Sequence, residues 1–152
     1  MYQRILVPID GSPTSELGVH EAIRMARLAH ARIRLIHVVD ELSFAFGVDA
    51  YGYSAAELPD LLRRDGAEIL KKTLAAVREQ GIPADSVMCE RLQKKVHERV
   101  IAEAEAWQAD LIVIGTHGRR GVRRMMLGSS AENILRNAPV PVLLVCAPAG
   151  TA

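Results

Sequence analysis

Cysteine is scarce in this chain: Cys89 and Cys146 stand far apart and share no metal-type spacing. That excludes a disulfide scaffold and a cysteine-ligated zinc site, and a reduced, cytoplasmic protein is the expectation. Long hydrophobic runs are lacking too. The composition is 49% hydrophobic, yet no apolar run approaches the ~20 residues a membrane helix needs. The apolar run at the N-terminus, Ile5 to Ile9, contains Pro8 and is too short for the core of a secretory leader. Neither sign of charge dominates, with 19 basic against 18 acidic residues and a net charge of +1. Such a balance exerts no global pull on nucleic acid or a membrane surface, so neither is expected as a partner.

Two familiar phosphate loops are missing as well. No lysine follows the glycines in the G-x4-G-K-[ST] manner, and no G-x-G-x-x-G follows the first apolar run. Aromatics are few, one Trp, three Tyr and two Phe, and Phe44, Phe46, Tyr51 and Tyr53 crowd into one stretch. There is no internal repeat, low-complexity segment or linker, and 152 residues fit one domain, 1–152.

What is present is an alternation of branched apolar runs with helical patterns. Arg4 to Ile9 reads as a strand, and Asp10-Gly11 turns out of it. Ser12-Pro13 supplies an N-cap and a first-turn proline for a helix reaching about residue 30, with Val19, Ile23, Ala26 and Ala29 on its apolar face. Ile33 to Val39 is a second strand, interrupted by Arg34 and His37. Residues 40–55 show no period and form a long loop. Its aromatics either cover the open end of the sheet or act as a lid or partner contact. Leu58 to Gln80 is helical, with Leu70, Leu74 and Val77 in register, and Gly81-Ile82-Pro83 stops it. Ser86 to Leu92 is a weaker strand whose Glu90 and Arg91 suggest a sheet edge. Val96, Val100, Ala104 and Trp107 share a helix face.

Leu111 to Ile114 follow, four branched apolar residues of a strand buried on both faces. Gly115 ends the strand, and a basic, glycine-rich loop with Arg119, Arg120, Arg123 and Arg124 leads to Gly128. Ser129 and Glu132 have the S-x-x-E spacing of a capping box, so a helix carrying Ile134 and Leu135 is expected from Ser129 or Ser130. The last strand is Val142 to Cys146. Strands alternating with helices predict an α/β fold, an open parallel sheet of five strands with helices on both faces. A strand, a glycine loop and a helix N-terminus in that order make an anion site, because bare N–H groups and a positive dipole end converge there.

Gly115, two residues, Gly118, nine residues, Gly128 and then Ser129 form the spacing G-x2-G-x9-G-[S/T]. It resembles the ATP-binding signature of the universal stress protein family. The opening Ile5-Leu-Val-Pro-Ile-Asp-Gly-Ser12 and the closing Ala138-Pro-Val-Pro-Val-Leu-Leu-Val145 are similar to that family too, so the resemblance covers nearly the whole chain. It implies a Rossmann-like, adenine-nucleotide alpha-hydrolase-like sheet of order 3-2-1-4-5. In that order strands one and four adjoin at the switch point, where ligands of open α/β sheets bind.

The resemblance also implies a site. Asp10 lies near the nucleotide or its Mg²⁺ or Mn²⁺, Val38 packs on adenine, and Ile114 and Thr116 line the ribose side, with Pro8 and Ala131 adjoining. Gly115, Gly118, Gly128, Ser129 and Ser130 are the candidate backbone and hydroxyl donors. One helix terminus contributes about 0.3–1 kcal/mol toward an anion, while micromolar affinity requires about 8 kcal/mol, so most of the binding falls to such donors. Ser129 either caps its helix alone or also meets phosphate. Asp10 either stabilises the first helix's N-terminus alone or also contacts ligand. His117 either touches phosphate or is solvated, and Arg119 belongs to a cluster that acts as a positive field. Trp107 and the Met125-Met126 pair read as packing residues, and His20, His30, His37 and His97 share no metal spacing.

The expected function is that of an ATP-binding stress-response regulator, in which ATP or another adenine nucleotide biases a state or a protein-partner surface. No Walker-type lysine and no residue placed to orient a water suggest fast phosphoryl transfer. The alternative is a slow ATPase or nucleotidyl-transfer enzyme on the same scaffold. The apolar last strand, 142–146, is an edge in need of a partner, and relatives in the family pair it with its own copy, so a homodimer is expected.

Overall fold

β-Branched side chains are stiff at χ1 and pack well on a pleated surface, and with Leu they dominate four of the five strands among the described residues, the less apolar β3 excepted: β1 (Arg4–Pro8), β2 (Arg32–Val39), β3 (Ala84–Glu90), β4 (Leu111–Gly115) and β5 (Val142–Val145). The structure is a computed structural model and describes residues 1–41, 54, 56–90, 93–116 and 127–148. Between the strands run α1 (Pro13–Ala29), α2 (Leu58–Glu79), α3 (Val96–Ala106) and α4 (Ser129–Asn137). Neighbouring strands pair in parallel in the order β3-β2-β1-β4-β5, as expected. The predicted edge character of β3 agrees with its terminal place.

Alternation along the strands makes two cores. Ile5 and Val7 of β1, Ile33 and Leu35 of β2, and Leu111 and Val113 of β4 meet α1 through Val19, Ala22 and Ala26, and α2 through Leu70 and Val77. On the opposite face, Leu6, Ile36, Ile112 and Ile114 meet Val100 and Ala104 of α3 and Ala131 and Ile134 of α4. The result is three layers. α1 begins as its sequence predicts: the Ser12 hydroxyl accepts the Ser15 N–H at 3.2 Å, and Pro13 is the first helical residue. At the far end of α2, Gly81 turns the chain with φ at 76°, which is left-handed backbone.

The start of α4 departs from the expected capping box. The helix does begin at Ser129, but Gly128 occupies the N-cap position. Ser129 is therefore inside the first turn, one residue too late for its hydroxyl to cap. The Glu132 carboxylate instead accepts from Arg136 at 3.0 and 3.1 Å. Strand limits shift slightly: β3 starts two residues ahead of the predicted Ser86, Arg91 and Leu92 of its predicted span lie outside the described residues, and β5 stops at Val145, leaving Cys146 exposed. The aromatics of the 40–55 loop, Met125 and Met126 lie outside the described residues.

One charged residue, Arg34, is accommodated within the mainly apolar β2. Arg34 of β2 donates through Nε and one terminal nitrogen to both Asp85 oxygens at 2.7 Å, and through the other nitrogen to Glu103 at 2.9 Å. Its guanidinium also lies 4.7 Å from the ring centroid of Trp107. This fork ties β2, β3 and α3 together in the planar geometry that arginine alone provides. The guanidinium holds the Asp85 carboxyl below its usual range. A carboxylate depressed in the folded state stabilises the fold above its unfolded pKa and ceases to do so as pH falls through the folded value. Asp85→Asn is expected to be less stable than the parent protein at neutral pH, with the gap closing below about pH 4; urea unfolding across that range measures it.

Candidate functional site

The carboxyl ends of β1 and β4 lie side by side, because the two strands pair in register from Ile5 with Leu111 and Leu6 with Ile112. From β1 the chain enters a tight turn. Ile9 N–H donates to Ile36 O at 2.8 Å, which extends the contact with β2 one residue beyond Pro8. Asp10 N–H donates to the Ser15 hydroxyl at 3.2 Å, and the Asp10 carboxylate accepts the Ser12 N–H at 2.9 Å. Gly11 takes the positive φ of 79° that this hairpin needs. The helix-stabilising role weighed for Asp10 is thus present for one carboxylate oxygen, Oδ1.

At the end of β4, Gly115 is seated on the first turn of α1. A Cβ there would fall 2.6 Å from the Thr14 carbonyl carbon and 3.1 Å from Ser15 N. From the helix side, a Cβ on Gly18 would lie 3.3 Å from Gly115 N. Two glycines therefore let a strand end and a helix approach backbone to backbone. Thr116 is buried, and its N–H donates to Val145 O at 3.0 Å. Its own carbonyl accepts the Gly128 N–H at 2.8 Å. That bond clasps the glycine loop at its base and fixes the start of α4 at the end of β4.

The first intrahelical bond of α4 is Glu132 N–H to Gly128 O at 2.9 Å. The N–H groups of Ser129, Ser130 and Ala131 consequently lack a partner within the helix, as at any helix start. Ser129 is exposed and Ser130 half-buried, whereas the Ala131 side chain is in the core, leaving only its backbone to meet a ligand. The Ile114 side chain likewise faces the core. Pro8 is the last residue of β1 and Val38 the next-to-last of β2, both half-buried. The structure therefore gathers Pro8, Asp10, Val38, Ile114, Gly115, Thr116, Gly128, Ser129, Ser130 and Ala131 at the ends of three adjacent strands. His117, Gly118 and Arg119, with the other loop arginines, lie outside the described residues.

Thr14, Ser15 and His37 were missed from the sequence. Ser15 holds Asp10 N–H, Thr14 receives Gly115, and His37 is buried with Nδ1 2.8 Å from Ile9 O. No local spacing signals these roles, since each partner belongs to another element or to the far side of a turn. Gly115→Ala is expected to cost about 1–3 kcal/mol, as overpacking does, because only movement of α1 relieves the clash. Gly18→Ala should cost less, since its contact is tight but short of a clash and alanine favours the helix; thermal unfolding of both variants compares them.

The universal stress protein family profile matches residues 1–145. The universal stress protein MJ0531 of Methanocaldococcus jannaschii is 37% identical over 148 residues, covering 97% of this chain and 84% of that protein. The solved structure of MJ0577 from the same organism superposes with a TM-score of 0.81 at 26% identity, covering 97% of this chain and 98% of the other. A universal stress protein from Archaeoglobus fulgidus, solved in complex with dAMP, shares the fold at a TM-score of 0.70 and 21% identity, over 95% and 98% of the two chains. Profile, relatives and strand order agree: the chain belongs to the universal stress protein family.

Proposed function

We propose that the protein binds ATP, or another adenine nucleotide, at the β1–β4 rim and acts as a stress-response regulator whose state or partner surface follows nucleotide occupancy. The observation that carries this reading is the clasp between Thr116 O and Gly128 N–H at 2.8 Å. It fixes the start of α4 at the carboxyl end of β4, and β4 adjoins β1, whose exit leads through the Asp10 turn into the N-terminus of α1. Backbone donors and two positive dipole ends suit a polyphosphate. The dAMP complex of the Archaeoglobus fulgidus relative supports an adenine nucleotide as the ligand class.

In this reading Gly115, Gly118, Gly128, Ser129, Ser130 and Ala131 meet the phosphates, with His117 and Arg119 beside them. Ile114 and Thr116 flank the ribose, and Pro8 and Val38 border the base. Among the described residues no group of three or more His, Cys, Asp or Glu side chains stands ready to hold a metal ion. A Mg²⁺ or Mn²⁺ would accordingly be shared between Asp10 and the phosphates. Binding rather than turnover is the output, because the rim's chemistry consists mainly of donors.

Isothermal titration of protein stripped of copurified nucleotide should show Mg·ATP binding. Gly128→Val should abolish it by blocking backbone approach. Gly128 has φ −59° and ψ 144°, ordinary extended backbone that valine adopts without strain, so the variant should remain folded. Unchanged affinity in that variant would move the site elsewhere.

The same reading includes a homodimer. All four residues of β5 are only half-buried, and among the described residues the strand pairs with β4 alone. An apolar edge invites a second copy across a two-fold axis. Light scattering at tens of micromolar should return twice the chain mass of 16.6 kDa; the mass of a single chain would exclude the dimer.

A further inference from the structure

Asp10 is carried by a peptide whose two polar groups are both held by side chains from other elements. The N–H of that peptide, on Asp10, donates to the Ser15 hydroxyl of α1 at 3.2 Å. Its carbonyl, on Ile9, lies 2.8 Å from Nδ1 of His37 in β2. A carbonyl oxygen only accepts, so the proton of this bond is on Nδ1. Both holding side chains are buried, His37 at 6% and Ser15 at 7% exposure. Neither bond can be replaced by bulk water without opening the fold.

Space for the imidazole is built into the facing helix. A Cβ at Gly66, inside the 22-residue α2, would lie 2.5 Å from Cδ2 and 2.8 Å from Nε2 of His37. Glycine is a poor residue for a helix interior, and at this place it is the residue that admits the ring. Downstream, Asp10 Oδ1 accepts the Ser12 N–H and Gly11 has positive φ, so the carboxylate is tied to the turn that this peptide opens.

We infer that His37 and Ser15 are positioning residues: by clamping the Ile9–Asp10 peptide from two sides they aim Asp10 at the metal-bridged phosphates of the nucleotide. This rests on the nucleotide reading above and adds the regulation of its geometry by a buried donor. Without the imidazole N–H, the Ile9 carbonyl becomes a buried acceptor lacking that bond. The peptide then rotates to seek another donor and takes Asp10 with it.

The test compares His37→Leu, which removes the donor, with His37→Asn, whose amide keeps one near the position of Nδ1. Dissociation constants for ATP are measured with Mg²⁺ and with EDTA, alongside thermal unfolding. His37→Leu should weaken Mg·ATP by about tenfold and metal-free ATP by much less. His37→Asn should recover most of that affinity while being no more stable than the leucine variant. Ser15→Ala, a smaller change, should weaken Mg·ATP in the same metal-dependent way even if His37→Leu does not fold. Parent-like Mg·ATP affinity in both His37→Leu and Ser15→Ala overturns the inference and leaves the nucleotide site standing. Equal weakening by leucine and asparagine, tracking their loss of stability, also overturns it, because that pattern is core packing alone. Failure of the parent protein to bind ATP would remove the nucleotide reading and this inference together.

Discussion

Backbone meets backbone where β4 runs into the first turn of α1, and the contact exists because residue 115 has no side chain. The sheet places β4 next to β1, and α1 leaves β1 at the same rim, so the end of β4 must pass the helix it faces. A methyl group there would hold the two apart. With hydrogen in its place, the β4 exit, the Asp10 turn and two helix starts converge on one small area. The remaining features of the candidate site follow from that approach. Thr116 is buried, its carbonyl accepts the Gly128 N–H, and α4 starts directly after that bond.

The site so formed is electrostatically modest and geometrically strict. A net charge of +1 supplies no long-range attraction for a polyanion. Helix termini contribute about 0.3–1 kcal/mol each, far short of useful affinity. On the proposed nucleotide reading, selectivity for a phosphate chain depends on several N–H groups holding fixed directions, and fixed directions come from the hydrogen bonds behind them. The Ser12, Ser15 and Asp10 bonds are of this kind, as is the imidazole behind Ile9. At the other end of the sheet rigidity is obtained differently. Arg34 spans Asp85, Glu103 and Trp107, and Asp110 accepts the N–H groups of Gln3 and Arg4 at 2.7 and 3.0 Å. Charged anchors fasten the amino ends of the strands, while small residues and hydroxyls shape the carboxyl ends.

The amino-acid sequence alone determined the elements that depend on local chemistry. Branched runs marked every strand except the weaker β3, Ser12-Pro13 marked the start of α1, and Gly81 marked the turn after α2, because dihedral preference and capping act within a few residues. Glycine spacing and family resemblance pointed to the rim and to the strand order, although neither follows from periodicity. Where sequence reasoning failed, two local solutions competed. The helix starts at Ser129 as expected, yet Gly128, held by its N–H to Thr116 O, takes the N-cap position, so tertiary contact overrode the capping box.

Only the tertiary structure decided which residues stand behind the site. His37 looked like a polar interruption of an apolar strand; its meaning arises where β2 packs on α2 and Gly66 leaves room for the ring. Thr14 and Gly115 are a hundred residues apart and meet because the β-strand order makes β4 adjacent to β1. Such pairings have no local signature, since they are fixed by which element packs on which. Sequence wrote the strands, helices and glycine turns; packing determined which of their atoms touch.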